Sequence, residues 1–401
     1  MIYNFIMEQL LKQKTKVFVD AVVNEDFGAK NGLLSGTSGS LFLLCYYNEF
    51  CGEAGYLDIA EQRIADIIDH INNDTDFSDL SYSAGITGFL WTLDNLITHH
   101  YIEADLTEFK DAIHPVLNNY MIKKAEEEDF DFLHGALGVA NYFLDQEDEH
   151  SLNWVNEFNK KLLQKATFHP DGTISFTSNV YQNEKPLQVI NLGLSHGMAS
   201  IIYYFQRCLK NTSLNTPELK ETLQKLILFY RKNQNDLSVH TSYFSNWIGS
   251  AGIKSESRLA WCYGDLGIGL SLFLAAETLN DTELMLYSKE LLKRTTQRRD
   301  LKQEGIVDAG ICHGTAGLVK IYRNLFRKTH LQEFKNAGDY WLQKTLEQAT
   351  HASGVGGYKK FHISAYENDC GLLEGTTGIG IVFLEELMNK SLPWEKSLML
   401  S

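Results

Sequence analysis

The chain lacks the features that would place it in a membrane, in a secretory pathway or on a nucleic acid. No run of about 18 apolar residues occurs in its 401 residues, so no transmembrane helix is predicted. The N-terminus lacks the ordered basic, apolar and small-residue regions of a secretory signal. The net charge is −15 and the 36 basic residues are scattered, so we expect no nucleic-acid partner. We therefore predict a cytoplasmic protein.

Cysteine and proline are also scarce. Six cysteines are too few for a disulfide scaffold in a chain of this length, and we expect them to serve as core residues, catalytic residues or metal ligands. Five prolines suit a helix-rich chain, because proline breaks helix interiors. The hydrophobic content of 44% is ample for a large core.

A short glycine motif recurs seven times along the chain. Six copies read Gly-x-x-Gly, and the remaining copy has Ser200 in place of the second glycine. The first glycines, 49 to 67 residues apart, are Gly36, Gly85, Gly135, Gly197, Gly264, Gly314 and Gly375. Such near-regular spacing indicates an internal repeat.

Each motif precedes an apolar run, and an amphipathic segment at helical spacing follows it. Each repeat therefore predicts two helices, the first buried on all sides and the second facing water on one side. We predict an all-α protein, a single domain over residues 1–401 in which seven inner and seven outer helices close an α/α barrel, or toroid. Residues 5–22 would supply the outer partner of the last inner helix. An open solenoid is the alternative, but it would need polar capping repeats.

One segment departs from the helical pattern. Residues 166–190 contain the turn signal Pro170-Asp171-Gly172 and then the alternating run 173–177. This pattern predicts a small β-hairpin insertion. A second glycine-rich segment, 353–358, predicts a loop near the barrel mouth.

The repeat also aligns residues that carry chemistry. Just before the first glycine lie His134, His196, Tyr263, His313 and Glu374, and two before it lie Cys262 and Cys312. Equivalent positions of a closed barrel meet at one end, so we expect these side chains to converge there. Cys262, Cys312 and His313 form a Cys₂His set, which suits a catalytic Zn²⁺ with an open fourth position. The other four cysteines lack this register, and we assign them to the core or surface.

A sulfur-rich zinc site is suited to activating a thiol, because metal binding deprotonates the incoming sulfur. His196 shares the register without a neighbouring cysteine, so we predict that it donates or accepts a proton; a structural hydrogen-bonded histidine is the alternative. For His134, whose neighbours Phe132 and Leu133 are apolar, we favour the structural role. Asp131 either orients an imidazole or belongs to the solvated acidic run 126–131.

The motifs Trp261-Cys-Tyr-Gly264, Cys312-His-Gly314 and Leu194-Ser-His-Gly197 resemble those of the lanthionine synthetase C-type cyclases, as do the repeated glycines and the ending 392–400. The resemblance covers nearly the whole chain. It implies an α/α toroid around zinc that adds peptide cysteine thiols to dehydroalanine or dehydrobutyrine, forming lanthionine and methyllanthionine rings.

By the same resemblance, Cys262, Cys312 and His313 hold zinc and His196 is the acid/base residue. Asp131 and Arg258 match an aspartate and an arginine that assist catalysis, and Tyr263 lines the pocket. The implied partners are a dehydrated precursor peptide containing Ser, Thr and Cys, a separate dehydratase, and an exporter. Such a protein is free in the cytoplasm or held at the membrane surface by a biosynthetic complex.

Two other functions remain open. A zinc-containing barrel that binds thiols such as glutathione without turnover would share the ligand set, although His196, Asp131 and Arg258 favour catalysis. A thiol prenyltransferase subunit is also a zinc-containing α/α barrel, but its Asp-Cys-His ligand set differs from the two-cysteine set here.

Overall fold

The computed structural model describes residues 2–53, 55–73, 79–182, 185–249 and 255–401. By its internal contacts the chain divides into two compact units. The first consists of Met1–Glu108 and Val307–Ser401, and the second is Phe109–Ile306. The single-domain organisation of residues 1–401 stays a prediction.

Within the described residues, an α-helix begins directly after the first glycine of every repeat. These seven helices are α2 (Thr37–Cys51), α4 (Ile86–Thr98), α6 (Ala136–Gln146), α8 (Met198–Lys210), α10 (Asp265–Leu279), α12 (Thr315–Thr329) and α14 (Thr376–Met388). They are buried along most of their length on all sides, as their continuous apolar runs predict.

The part of the chain that the structure describes contains seven further α-helices, which precede or follow the glycine-led ones. They are α1 (Ile2–Asn24), α3 (Gly55–Asn73), α5 (Thr107–Glu126), α7 (Glu149–Gln164), α9 (Pro217–Lys232), α11 (Thr282–Thr295) and α13 (Gln332–Glu347). Their buried residues recur at helical spacing, as in α9 and α11, so one face packs and the other meets water. The predicted two helices per repeat are confirmed.

In the first unit, α12, α14, α2 and α4 pack one against the next, with α13 on α12 and α3 on α2. The N-terminal helix α1 packs against α14. Phe18 of α1 is fully buried between Phe383 and Tyr358, with ring centroids 6.0 and 5.5 Å away. The N-terminal helix therefore provides the outer partner of the last inner helix, as predicted.

The second unit repeats this arrangement. Helices α6, α8 and α10 pack in order, and α7, α9 and α11 pack on them respectively. No helix in the described part of the chain is both long and apolar enough to cross a membrane.

The insertion contains more strand structure than the single predicted hairpin. In this segment and after it, the described residues form five short strands, β1 (Thr167–Phe168), β2 (Ile174–Ser175), β3 (Ser178–Gln182), β4 (Lys185–Asn191) and β5 (Trp247–Ile248). Strands β1 and β2 form one antiparallel hairpin, and β3, β4 and β5 form an antiparallel sheet in that order. A further hairpin, β6 (Lys360–His362) with β7 (Ala365–Glu367), follows the predicted 353–358 loop.

The motif glycines allow the loop before each inner helix to touch the helix itself. A Cβ on Gly317 would lie 1.9 Å from the carbonyl oxygen of Ile311, which no side chain can occupy. Gly264 has a φ of +88°, a conformation that favours glycine. Ser200, which replaces a motif glycine, is buried and donates its hydroxyl to the carbonyl of Gly197 at 2.7 Å.

The C-terminal residues end in a 3₁₀ helix, Pro393–Leu398. It is held by the fully buried Lys320, whose Nζ lies 2.6 Å from Glu385 and 2.5 Å from Glu395. The indole of Trp394 also donates to Glu385 at 3.1 Å. Because every charged group has an opposite partner, this burial avoids an isolated charge.

Candidate metal centre and active site

Backbone hydrogen bonds link the loops at the position two before the first glycine. In the first unit, Leu34 N donates to Ser83 O, Leu373 N donates to Leu34 O, and Cys312 N donates to Leu373 O, at 2.9 to 3.0 Å. In the second unit, Ser195 N donates to Cys262 O at 3.2 Å. The position that carries the two cysteines is therefore fixed by main-chain bonds, whatever its side chain is.

A second shared position lies six residues before the first glycine, and our sequence interpretation missed it. In five repeats it is Asp or Asn, and its Oδ1 accepts the backbone N–H two residues later at 2.7 to 3.3 Å. These residues are Asp79, Asp129, Asn191, Asp308 and Asp369. Such short polar side chains stabilise tight turns, and extending the repeat alignment by four positions would have revealed them.

Cys312 and His313, in the first unit, and Cys262, in the second, are candidate metal ligands. Each offers one ligand atom, a cysteine sulfur or an imidazole nitrogen. Two thiolates and an imidazole suit zinc in chemistry and in number, with a fourth position left for substrate.

Three of the remaining cysteines have environments that oppose ionisation. Burial raises the pKa of Cys45 and of Cys370 to about 12, and that of Cys208 to about 11. The thiolate is the form that binds metal or attacks an electrophile. These three residues are therefore inert core thiols, as the sequence predicts.

Asp131 and His196 form a hydrogen-bonded pair in the second unit. The Nδ1 of His196 lies 2.5 Å from Oδ2 of Asp131, while Oδ1 accepts the backbone N–H groups of Leu133 and His134, both at 2.8 Å. The carboxylate is thus held from both sides and orients the imidazole. The interpretation of Asp131 as a solvated member of an acidic run is not supported, because its side chain is only 20% exposed.

The pair also shifts the protonation of both groups. Burial alone lowers the pKa of His196, but the hydrogen bond and charge of Asp131, with a contribution from Cys262, raise it overall. Burial likewise raises the pKa of Asp131, yet the bonds to His196 and to the backbone hold it below its ordinary value. An imidazolium facing a carboxylate is therefore favoured.

His196 lies between two other rings at a cavity. The ring of His134 stacks on it at 6.2 Å and 15°, and the ring of Tyr263 lies 6.2 Å away on a tilted plane. The cavity has a volume of about 570 Å³, and Asp131, His134, His196 and Tyr263 line it together with Ser178 and the acidic run. The resemblance placed Tyr263 at the pocket, and the structure shows it there.

The structural role that we favoured for His134 stays a prediction. Its side chain is exposed, whereas the preceding Phe132 and Leu133 are buried. Successive side chains in the turn before α6 differ in burial, so the apolar residues next to His134 in sequence do not indicate how exposed its own side chain is.

Arg258 occupies the turn position that is Asp or Asn in the five other repeats named above. Its side chain is exposed and makes no hydrogen bond or ion pair within the described residues. The assisting role of Arg258 stays a prediction.

A family model described as lanthionine synthetase C-like protein matches residues 29–399. The chain belongs to this family. Among curated relatives, the nisin biosynthesis protein NisC of Lactococcus lactis subsp. lactis is 24% identical over 262 residues, 60% of each chain. The match thus spans less than two thirds of that relative's length.

The fold of this chain is similar to that of a solved structure, a nisin cyclase. The two are 20% identical with a TM-score of 0.77, over 99% of this chain and 97% of the other. This match shows the predicted α/α toroid. A sugar epimerase from a ruminal bacterium, 10% identical with a TM-score of 0.46 over 92% and 91% of the two chains, is too distant to carry an argument.

Proposed function

We propose that this lanthionine synthetase C-like protein is a zinc-dependent peptide cyclase. It would add cysteine thiols of a precursor peptide to dehydroalanine or dehydrobutyrine residues, forming lanthionine and methyllanthionine rings. The observation that carries the proposal is the oriented Asp131–His196 pair in a cavity, close enough to Cys262 for the charge of that thiol to affect the pKa of His196. Membership of the family and the NisC relative support the same chemistry.

In this proposal Cys262, Cys312 and His313 hold the zinc. When bound, the ion would lower the pKa of the substrate thiol, so that it is deprotonated at neutral pH. Cys262 is only 5% exposed, which keeps water from most of its surface. The cavity lined by Tyr263, the next residue, and by His196 has room for a peptide side chain.

His196 then supplies the proton. Addition of a thiolate to a dehydro-residue forms the C–S bond at the β-carbon and leaves negative charge on an enolate, which must be quenched at the α-carbon. With Nδ1 directed at Asp131, Nε2 is the nitrogen left to donate. The raised pKa of His196 keeps a larger share of the ring protonated near neutrality, as a general acid requires.

The partners are proposed on the same chemistry. The substrate would be a dehydrated precursor peptide, so a separate dehydratase must supply it, and an exporter would remove the product. A cytoplasmic location, free or at the membrane surface in such a complex, follows from these partners.

The test is His196→Asn. The amide can still donate to Asp131 but cannot transfer a proton, so we expect bound zinc and the fold to persist while cyclisation slows by about 10²–10⁴-fold. His134→Asn is the comparison variant, because His134 lies in the same repeat position and its ring stacks on that of His196. Rates and ring stereochemistry of a dehydrated peptide are compared, since such peptides also close without an enzyme.

Two results would contradict the proposal. Cyclisation by His196→Asn at the parent rate would assign proton transfer to another group. A parent protein that binds zinc and glutathione but cyclises no dehydrated peptide would instead support the thiol-binding function.

A further inference from the structure

Asp308 lies beside the metal-ligand candidate His313 in an environment unlike that of its repeat equivalents. Its side chain is 3% exposed. Oδ1 accepts the backbone N–H of Gly310 at 3.0 Å, and Oδ2 accepts the backbone N–H of Phe361, in β6, at 3.0 Å. The same Oδ2 lies 3.8 Å from Nε2 of His313. One carboxylate thus joins the turn, the β6–β7 hairpin and the imidazole.

The turn itself does not require a carboxylate. Asn191 makes the equivalent bond from its amide oxygen to the N–H of Gly193, also at 3.0 Å. A single acceptor oxygen is sufficient there, and a buried carboxylate is costly unless its charge is used. The presence of Asp at position 308 therefore calls for a second reason.

The contacts of the second carboxylate oxygen, Oδ2, provide that reason. In two equivalent residues Oδ2 forms an ion pair with a lysine, Asp129 with Lys124 at 2.8 Å and Asp369 with Lys360 at 2.9 Å. In Asp308 it faces a histidine ring nitrogen instead. A neutral imidazole carries one N–H and one lone pair, so an acceptor beside Nε2 favours the proton there and leaves the lone pair on Nδ1.

We infer that Asp308 is a positioning residue that holds the Nε2–H of His313 and thereby presents Nδ1 as the metal-binding nitrogen. This inference rests on the proposed zinc-dependent function. Metal-binding histidines commonly donate their other N–H to a carboxylate, which fixes the tautomer and raises ligand basicity. At 3.8 Å the two atoms lie beyond direct hydrogen-bonding distance, so the inference requires a rotation of the ring or one bridging water.

The test is Asp308→Asn, compared with Asp79→Asn. In the first variant the amide oxygen still caps the turn, but the amide nitrogen is a donor that faces two donors, Phe361 N–H and His313 Nε2–H. We expect zinc affinity, measured by competition with a chelator, to fall about 10–100-fold. Asp79 caps the same turn in its own repeat at 2.8 Å with no histidine near its second oxygen among the contacts described, so Asp79→Asn should bind zinc as the parent does.

A measurement on the unmodified protein keeps the inference testable if Asp308→Asn does not fold. In ¹⁵N-histidine-labelled zinc protein, NMR should show His313 with a metal-bound Nδ1 and a protonated Nε2. A metal-bound Nε2 would overturn the inference, as would unchanged zinc affinity in Asp308→Asn or an equal loss in Asp79→Asn. A parent protein that binds no zinc would instead overturn the proposed function.

Discussion

Replacing Asp131 by asparagine should separate the charge of this residue from its place in the fold. The amide oxygen can still accept the N–H groups of Leu133 and His134, as Oδ1 does at 2.8 Å. The amide nitrogen would then face Nδ1 of His196, which must become an acceptor. The backbone anchor persists, and the carboxylate that stabilises the imidazolium is lost.

The direction of the pKa change follows from the two opposing effects on His196. Burial lowers its pKa, and Asp131 raises it more strongly. Without the carboxylate, burial prevails and the pKa falls. At a pH above the pKa, each unit by which the pKa of His196 falls reduces the protonated fraction of the ring about tenfold. This corresponds to about 1.4 kcal/mol. Together with the misplaced tautomer, we expect cyclisation to slow on the order of 10²-fold at neutral pH, about 2.7 kcal/mol.

The pH profile gives the sharper test. Because Asp131 favours the charged ring, His196 of the parent stays protonated to higher pH. The cyclisation rate of the parent should therefore fall as pH rises through the raised pKa of His196. In Asp131→Asn this fall should begin at lower pH, so the ratio of parent to variant rates should grow between the lowered pKa of His196 in the variant and its raised pKa in the parent, and should level off at higher pH. Single-turnover cyclisation of a dehydrated peptide, followed by mass spectrometry after thiol alkylation, measures both rates against the uncatalysed background.

Asp129→Asn is the matched control, since Asp129 lies in the same turn and pairs with Lys124 instead of a histidine. It should retain the parent profile. If Asp131→Asn kept both the rate and the pH profile of the parent, the reasoning that links this carboxylate to an acid role of His196 would be refuted.

Two further predictions concern the metal and the closing helix. Purified protein should carry about one zinc per chain, and Cys312→Ala should lose most of it by metal analysis, because one of three protein ligands is removed; full retention would contradict the ligand assignment. Phe18→Ala should lower the free energy of unfolding by about 3–5 kcal/mol, because Phe18 is fully buried against Phe383 and Tyr358. A denaturation midpoint equal to that of the parent would show that α1 does not complete the fold.

The sequence predicted the helices well, because they follow from the repeat. Cys262 and Cys312 share a repeat position at which the backbone bonds described above join neighbouring loops in six of the seven repeats, and the alignment identified this shared position without the structure. The exposed position of His134 could not be read this way, because it depends on side-chain direction within one turn.

The strands were harder to predict for a different reason. Strand β5 has two residues, Trp247 and Ile248, and it pairs with Ile190 and Asn191 of β4. So short a strand has no periodicity of its own, and its pairing joins segments more than fifty residues apart in sequence. The hairpin β6–β7 has three residues per strand, which is also below the length at which alternation is visible.

The loops before the inner helices are joined by main-chain hydrogen bonds, so the side chains at these positions can differ without loss of the bonds. Leu34–Ser35 and Ser83–Ala84 occupy the same repeat positions as Cys312–His313, and Leu34 and Cys312 each donate their backbone N–H to the equivalent residue of another loop. Since these bonds require no particular side chain, a pair of substitutions can install or remove a functional group without rebuilding the loop. Leu34→Cys with Ser35→His is therefore a natural starting point for engineering a second metal-binding pair on this scaffold.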